Sequence, residues 1–184
     1  VGHGRRARLM TRMPDIILHH YPESLYSEKV RLILGYKDLA WKSVTIPMVA
    51  PKPDLTALTG GYRRTPVLQI GADVYCDTAL IAEVLERIAP TNTLYPQGRQ
   101  GVIQTIAQWG DTNLFWAAIA YFYQTDGVAM ALAQLPPEQV QAYHQDRAEL
   151  LRTRPLSGFA ETKATLALYL QRLQQMLEGG QPFL

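Results

Sequence analysis

Pro22-Glu23-Ser24-Leu25-Tyr26-Ser27-Glu28-Lys29-Val30-Arg31 decides how this chain is read. It follows Asp15-Ile16-Ile17-Leu18-His19-His20, an apolar run that reads as a buried strand. Pro22 ends that strand. Ser24 then stands where a helix N-cap belongs, because its short hydroxyl side chain can accept an orphan N–H of the first turn. Tyr26, Val30, Ile33 and Leu34 follow at helical spacing, and Gly35 is expected to close the helix. Two later stretches matter equally: Arg64-Thr65-Pro66-Val67 at the start of a strand, and Asp77-Thr78 opening an apolar helix. A hydroxyl at one helix start, backbone beside a proline, and an acid–hydroxyl pair at a second helix start can converge on one small anionic ligand.

Around these stretches the pattern alternates between strand and helix. Trp41 to Ile46 reads as a second strand; Pro47, Pro51 and Pro53 break it into a loop holding one helical turn from Asp54 to Leu58. Gly60-Gly61 is a turn, Pro66 to Ile70 a third strand, Gly71-Ala72-Asp73 a hairpin turn and Val74 to Cys76 a fourth strand. The helix from Asp77 carries Leu80, Ile81, Val84, Leu85 and Ile88 on one face. Residues 13–90 are thus expected to form an α/β thioredoxin-like domain. Residues 91–100, rich in Pro, Thr, Asn and Gly, read as a linker. No strand pattern follows, so residues 101–184 are expected to be all-helical. Val102 to Tyr123 reads as one long helix that Gly110 bends. A second helix starts near Pro137 and runs to Leu151. A third carries the stripe Leu166, Tyr169, Leu170, Leu173, Met176 and Leu177 and stops at Gly179-Gly180.

Composition narrows the function. Apolar residues make up 47% of the 184 and charged residues 18%, which is globular rather than disordered. The net charge of +2 misleads, because Arg5, Arg6, Arg8 and Arg12 all precede Met13. Setting those four aside leaves 14 basic against 16 acidic residues, so the expected folded part is mildly acidic and no nucleic-acid partner is expected. Residues 1–12 read as a disordered tail or an extension. No apolar run reaches the ~20 residues that span a bilayer, and no membrane partner is expected. A single cysteine, Cys76, excludes an internal disulfide and a multi-cysteine zinc site, which suits a reducing cytoplasm. His19 and His20 are adjacent on a strand and point to opposite faces, so no metal site is expected there.

The order and spacing of these motifs resemble the glutathione-binding half of the soluble glutathione S-transferases, serine-type and bacterial-like. In that family a serine opens the first helix, and an acid-Ser/Thr pair lies eleven and twelve residues after a strand proline, as Asp77-Thr78 lies after Pro66. Val30-Arg31 also falls at the expected place in the first helix. The resemblance implies a two-domain glutathione transferase fold and a homodimer. It implies further helices beyond the last residue, so the helical part is expected to be incomplete. Glutathione is then a co-substrate and no separate cofactor is expected. The reaction implied is attack of the glutathione thiolate on a small apolar electrophile. The alternative is a non-catalytic binding or interaction module of the same fold.

By the same resemblance, Pro66 is cis and Thr65 pairs with the cysteinyl part of glutathione through its backbone. Asp77 and Thr78 take the γ-glutamyl end, although either is also a plain helix cap. Arg63 or Arg64 reaches the glycyl carboxylate, with Lys52 a weaker candidate. Ser24 activates the sulfur. A free thiol has a pKa of ~8.5, and making it mostly thiolate at neutral pH takes about 2.7 kcal/mol. One hydrogen bond to a charged group supplies about 1.5–3 kcal/mol and a helix N-terminus about 0.3–1 kcal/mol, so one hydroxyl there has the right size. Ser24 as an N-cap alone remains the other reading, and Tyr21, Tyr26 and Ser27 are competing hydroxyls. No redox Cys-x-x-Cys occupies Ser24 to Ser27, and Cys76 reads as a core residue, which disfavours thiol–disulfide exchange. Phe115 and Trp116, within the aromatic cluster Trp109 to Tyr123, are expected to line the co-substrate pocket.

Overall fold

A computed structural model describes residues 14–178, the side chains at 149 and 150 excepted. The expected tail (1–12) and the Gly179-Gly180 stop lie outside the described residues. The chain divides into two compact units, one ending at Asn92 and one beginning at Thr93.

The first unit runs β1 (Ile16–His20), α1 (Leu25–Tyr36), β2 (Lys42–Thr45), α2 (Pro53–Thr59), β3 (Val67–Ile70), β4 (Asp73–Cys76) and α3 (Thr78–Ile88). The four strands form one mixed sheet in the order β2-β1-β3-β4. β1 pairs parallel with β2, which needs the α1 crossover, and antiparallel with β3; β3 pairs antiparallel with β4 across the tight turn at Gly71-Ala72. This is the thioredoxin-like sheet expected.

Alternation along the strands sets two layers. Ile16, Leu18, Leu68, Val30, Leu34, Ile81 and Leu85 form one core cluster, which seats α1 and α3 on one sheet face. Val67, beside Leu68 but pointing oppositely, packs with Ile46 and Leu55, which seats α2 on the other face. β2 is an edge strand and buries none of its own residues; Val44 is exposed although the alternation there suggested a half-buried strand.

Three local expectations are corrected. Gly35 does not close α1: the helix continues through Tyr36, and the left-handed residue that reverses the chain is Asp38 at φ 51°, a conformation aspartate tolerates. The residue between them, Lys37, is buried. Its Nζ pairs with Glu86 at 2.6 Å and donates to the Ala89 carbonyl at 2.8 Å, so it ties the end of α1 to the end of α3. On α3, Leu80 does not share the apolar face. It is 45% exposed, and Ala82 is buried in its stead beside Ile81, Val84 and Leu85. The loop turn at Asp54 to Leu58 is a fuller helix, Pro53–Thr59, stopped by Gly60 in the left-handed conformation at φ 69°.

The second unit is all-helical: α4 (Gln100–Trp109), a π-helical segment (Gly110–Leu114), α5 (Phe115–Tyr123), α6 (Gly127–Leu132), α7 (Pro137–Thr153) and α8 (Phe159–Leu177). The long helix is therefore continuous, with a π stretch where Gly110 was expected to bend it. The short α6 was missed. It needs glycine at its start, because a Cβ on Gly127 would come within 2.4 Å of the Phe122 ring. α5 packs on α8 through Tyr121 stacked on Phe159, and Gln124 Nε2 donates to the Ser157 carbonyl at 3.2 Å. The stripe on α8 is less buried than its period suggested: Leu170, Met176 and Leu177 are exposed, and the buried residue is Thr162.

The two neighbours on α3 separate periodicity from burial. Ile81→Ala is expected to lower stability by about 3 kcal/mol, the usual cost of truncating an enclosed side chain, and Leu80→Ala by less than about 1 kcal/mol. Urea unfolding of the two variants measures both; equal losses would restore Leu80 to the core.

Candidate functional site

The sheet brings the starts of α1 and α3, and the loop before β3, to one region of the first unit. Ser24 is the N-cap of α1, and its Oγ accepts the Ser27 N–H at 3.2 Å. That bond uses a lone pair and leaves the one hydroxyl proton to donate elsewhere. Ser24 is nearly buried, while the competing hydroxyl of Ser27 is fully enclosed and has no hydrogen-bond partner among the described residues. A ligand has no path to an atom so enclosed, so Ser27 falls away as a candidate.

The Thr65–Pro66 bond is cis. No described backbone hydrogen bond uses the Thr65 N–H or C=O, so both are available to an extended ligand. The Thr65 hydroxyl accepts from Lys52 Nζ at 3.1 Å, and the same ammonium lies 5.3 Å from the centre of the Tyr21 ring. Lys52, the weaker candidate cation, thus stands beside the expected backbone contact. A second cis bond, Ala50–Pro51, precedes it by one residue; the three prolines of that loop gave no sign of which would be cis.

Asp77 caps α3, its Oδ1 accepting from the Ala79 N–H at 2.8 Å. Its backbone is at φ 79° and ψ 131°, a conformation that non-glycine residues rarely hold and that clusters at ligand sites. The side chain is exposed at a helix N-terminus. Thr78, next in line, is buried, and its hydroxyl accepts from Lys29 Nζ at 3.2 Å. That bond joins α1 to the start of α3.

Arg63 and Arg64 are both exposed in the loop before Thr65. Burial pushes the Tyr62 hydroxyl above its ordinary value of 10.0, the Asp77 carboxylate adds to the rise, and Arg64 opposes it. Tyr62 and Lys29 are the two participants that reading the sequence missed. Their links to Asp77 and Thr78 span chain separations that no local pattern encodes.

Two further groups frame the site. His20, on the buried side of β1, is held by Arg31 and by Ser43; burial first, then the Arg31 charge, lowers its pKa from the ordinary 6.5. Cys76 ends β4 and packs with Tyr21, Tyr62 and Val74 on the Ile46–Leu55–Val67 cluster. Burial pushes its thiol above 9.0, which makes it a poor nucleophile.

In the helical unit, Trp116 lines a cavity of about 220 Å³ with Asn113, Ala120, Arg154, Ser157 and Thr165; the Arg154 guanidinium lies 4.3 Å from the centre of the Trp116 ring. Phe115 meets the edge of Trp116 at 5.6 Å but does not line that cavity. Among the described residues no cluster of His, Cys, Asp or Glu has the arrangement of a metal site, and no helix is long and apolar enough to cross a membrane.

Residues 18–93 match the family model of the glutathione S-transferase N-terminal domain. No curated protein matches the chain. Among solved structures, a GST-like protein from Pseudomonas syringae is 42% identical, with a TM-score of 0.68 over 92% of this chain and 51% of its own. The chain thus spans about half the length of that relative. The β-etherase LigF from Sphingobium sp. strain SYK-6, 17% identical, superposes with a TM-score of 0.64 over 89% of this chain and 74% of its own. A glutathione transferase homologue from Sulfitobacter, solved with bound glutathione and 15% identical, gives 0.59 over 91% of this chain and 73% of its own. The last two likenesses establish fold.

The lone thiol gives a check on the chemistry of this region. Iodoacetamide at pH 8 is expected to alkylate Cys76 about tenfold more slowly in the native protein than in the urea-unfolded chain. Mass spectrometry follows the single site, and equal rates would make Cys76 a reactive group.

Proposed function

This chain belongs to the soluble glutathione S-transferase family, and from that premise we propose that it binds glutathione across the α1 and α3 starts and activates its thiol with Ser24. The observation that carries the reading is the Ser24 hydroxyl. It is an N-cap whose oxygen already holds the Ser27 N–H, so its proton is left to point at an anion beside the helix start.

The other contacts follow from the same geometry. The unused Thr65 N–H and C=O pair with the cysteinyl backbone beside Pro66. Asp77 meets the γ-glutamyl amino group, and the N-terminus of α3 with Thr78 meets its carboxylate. Lys52, Arg63 and Arg64 supply cations for the glycyl carboxylate. Glutathione bound to the Sulfitobacter homologue supports this class of ligand for the fold. The reaction is attack of the glutathione thiolate on a small apolar electrophile. Sulfur gains the new bond to the electrophilic carbon, and the leaving group departs with the electron pair. Homodimer assembly and a cytoplasmic setting belong to the same reading.

Two measurements test it. Asp77→Ala is expected to weaken glutathione binding at least about tenfold, or about 1.4 kcal/mol; calorimetry showing unchanged affinity in a folded variant removes the γ-glutamyl assignment. Ser24→Ala is expected to raise the apparent pKa of bound glutathione by about one to two units. Turnover at neutral pH should fall about ten- to a hundredfold, with affinity little changed, because the lost bond acts on sulfur. The ultraviolet absorbance of the thiolate reports the titration. A curve unmoved in Ser24→Ala but moved in Tyr21→Phe or Tyr26→Phe would transfer the role to that tyrosine. A curve unmoved in all three would leave a non-catalytic binding module.

A further inference from the structure

β1 buries alternate residues, and the third of them is not apolar: Ile16, Leu18, then His20. A polar ring on a core face must find partners for both nitrogens. Nε2 lies 2.8 Å from Ser43 Oγ of β2, and Nδ1 lies 2.8 Å from Arg31 NH1 of α1. The edge of the ring meets Trp41 at 5.5 Å. A guanidinium only donates, so Nδ1 must accept and carries no proton. The ring is therefore neutral, with its proton on Nε2 and donated to Ser43. Arg31 on α1, Ser43 and Trp41 at β2, and the Tyr21 backbone are the groups that face it, and Glu28 pairs with the far side of Arg31.

The rest of the Arg31 fork holds the turn before α1. NH1 donates to the Tyr21 carbonyl at 3.4 Å and NH2 to the Pro22 carbonyl at 2.9 Å, while Nε donates to Glu28 Oε2 at 2.7 Å. The Tyr21 carbonyl also accepts the Ser24 N–H at 3.2 Å. Arg31, seven residues on from Ser24, thus grips the two carbonyls that lead into it. Arg31 is itself oriented by the lone pair of His20.

We propose that Arg31 is the positioning residue of Ser24 and that the neutral His20 imidazole anchors it, so that proton uptake at Nδ1 opens the clamp on the Tyr21–Pro22 turn. A protonated Nδ1 turns from acceptor to donor and sets an imidazolium against a guanidinium, so the bond between them is lost. Burial and the Arg31 charge resist that protonation, and the Tyr21 backbone opposes them more weakly. The sign follows: the clamp contributes fully above the ordinary histidine pKa of 6.5 and is lost as pH falls through the lower value of the folded state. The clamp stands on geometry alone; its catalytic consequence rests on the Ser24 role proposed above.

Nuclear magnetic resonance of the histidine-labelled chain tests the clamp without any substrate. At pH 7.5 the His20 ring should show a proton on Nε2 and none on Nδ1. Hydrogen exchange should show the protection factor of the Ser24 amide falling at least about tenfold as the His20 signals titrate, while Leu34, deep in the same helix, stays within about twofold. His20→Asn keeps an acceptor near the Nδ1 position but takes up no proton, and should hold Ser24 protected at both ends of the titration. Arg31→Met should leave Ser24 unprotected at both ends with Leu34 unchanged. Ser24 protection that ignores the His20 titration, or that falls equally in His20→Asn, overturns the clamp. With glutathione as the probe, Arg31→Met should raise the pKa of the bound thiol as Ser24→Ala does, and the double variant should add nothing. Additive shifts overturn the positioning role. If the exchange results hold but glutathione does not bind, the clamp stands and the proposed function falls.

Discussion

Ile17 faces Lys42 of β2 on one side and Gln69 of β3 on the other, so β1 gives its backbone to a parallel and an antiparallel neighbour at once. That double pairing is the constraint on which the first unit depends. Its parallel side requires a crossover, which α1 provides; its antiparallel side brings in β3 directly from the loop that holds Thr65 and Pro66. Alternation along β1 and β3 then seats α1 and α3 on one face and α2 on the other. With the strands so ordered, the α1 start and the α3 start become neighbours, and Lys29 bonded to Thr78 marks their meeting.

Polar groups, rather than more apolar ones, lock these elements in register. Lys37 is enclosed between the ends of α1 and α3 with Glu86 and two backbone carbonyls as partners. His20 occupies a core position of β1 and is satisfied on both nitrogens. Buried polar groups of this kind are tolerated only when fully partnered, and each partner lies on a different element. They therefore specify how the elements meet, where a methyl group would accept several arrangements. Among the described residues Ser27 is the exception, enclosed with its hydroxyl unpaired, one turn from the N-cap it supports.

The site itself is economical in new chemistry. Its groups are helix caps, free backbone and a few surface cations, and each has an ordinary structural duty as well. Ser24 caps α1 and Asp77 caps α3, yet the capping bonds leave Ser24 its hydroxyl proton and Asp77 its second carboxylate oxygen. The unusual feature is the backbone of Asp77, held at positive φ without glycine. Cys76 nearby is partly buried, and that burial raises its thiol above the ordinary value, which disfavours the thiolate form.

How much of this was legible beforehand depends on the range of the interaction. The strand and helix order of the first unit, the Ser24 cap, the hairpin at Gly71, and the placement of Asp77-Thr78 at a helix start were all readable, because hydrophobic period, capping and turn chemistry act within a few residues of chain. The path of the long second-unit helix past Gly110 was readable for the same reason. Period alone could not say which apolar positions are covered. Leu80 and Val44 fit their patterns but lie beyond the reach of the packed faces, and the α8 stripe is largely open. Gly35 looked like a stop, yet the chain turns at Asp38, after Lys37 has entered the core. Only the tertiary structure decided that Lys29 reaches Thr78, that the Asp77 charge acts on Tyr62, and that Arg31, bonded to His20, also holds the turn before Ser24. Such contacts join segments that only the order of strands in the sheet brings together, and a pattern of neighbouring residues carries no record of that order.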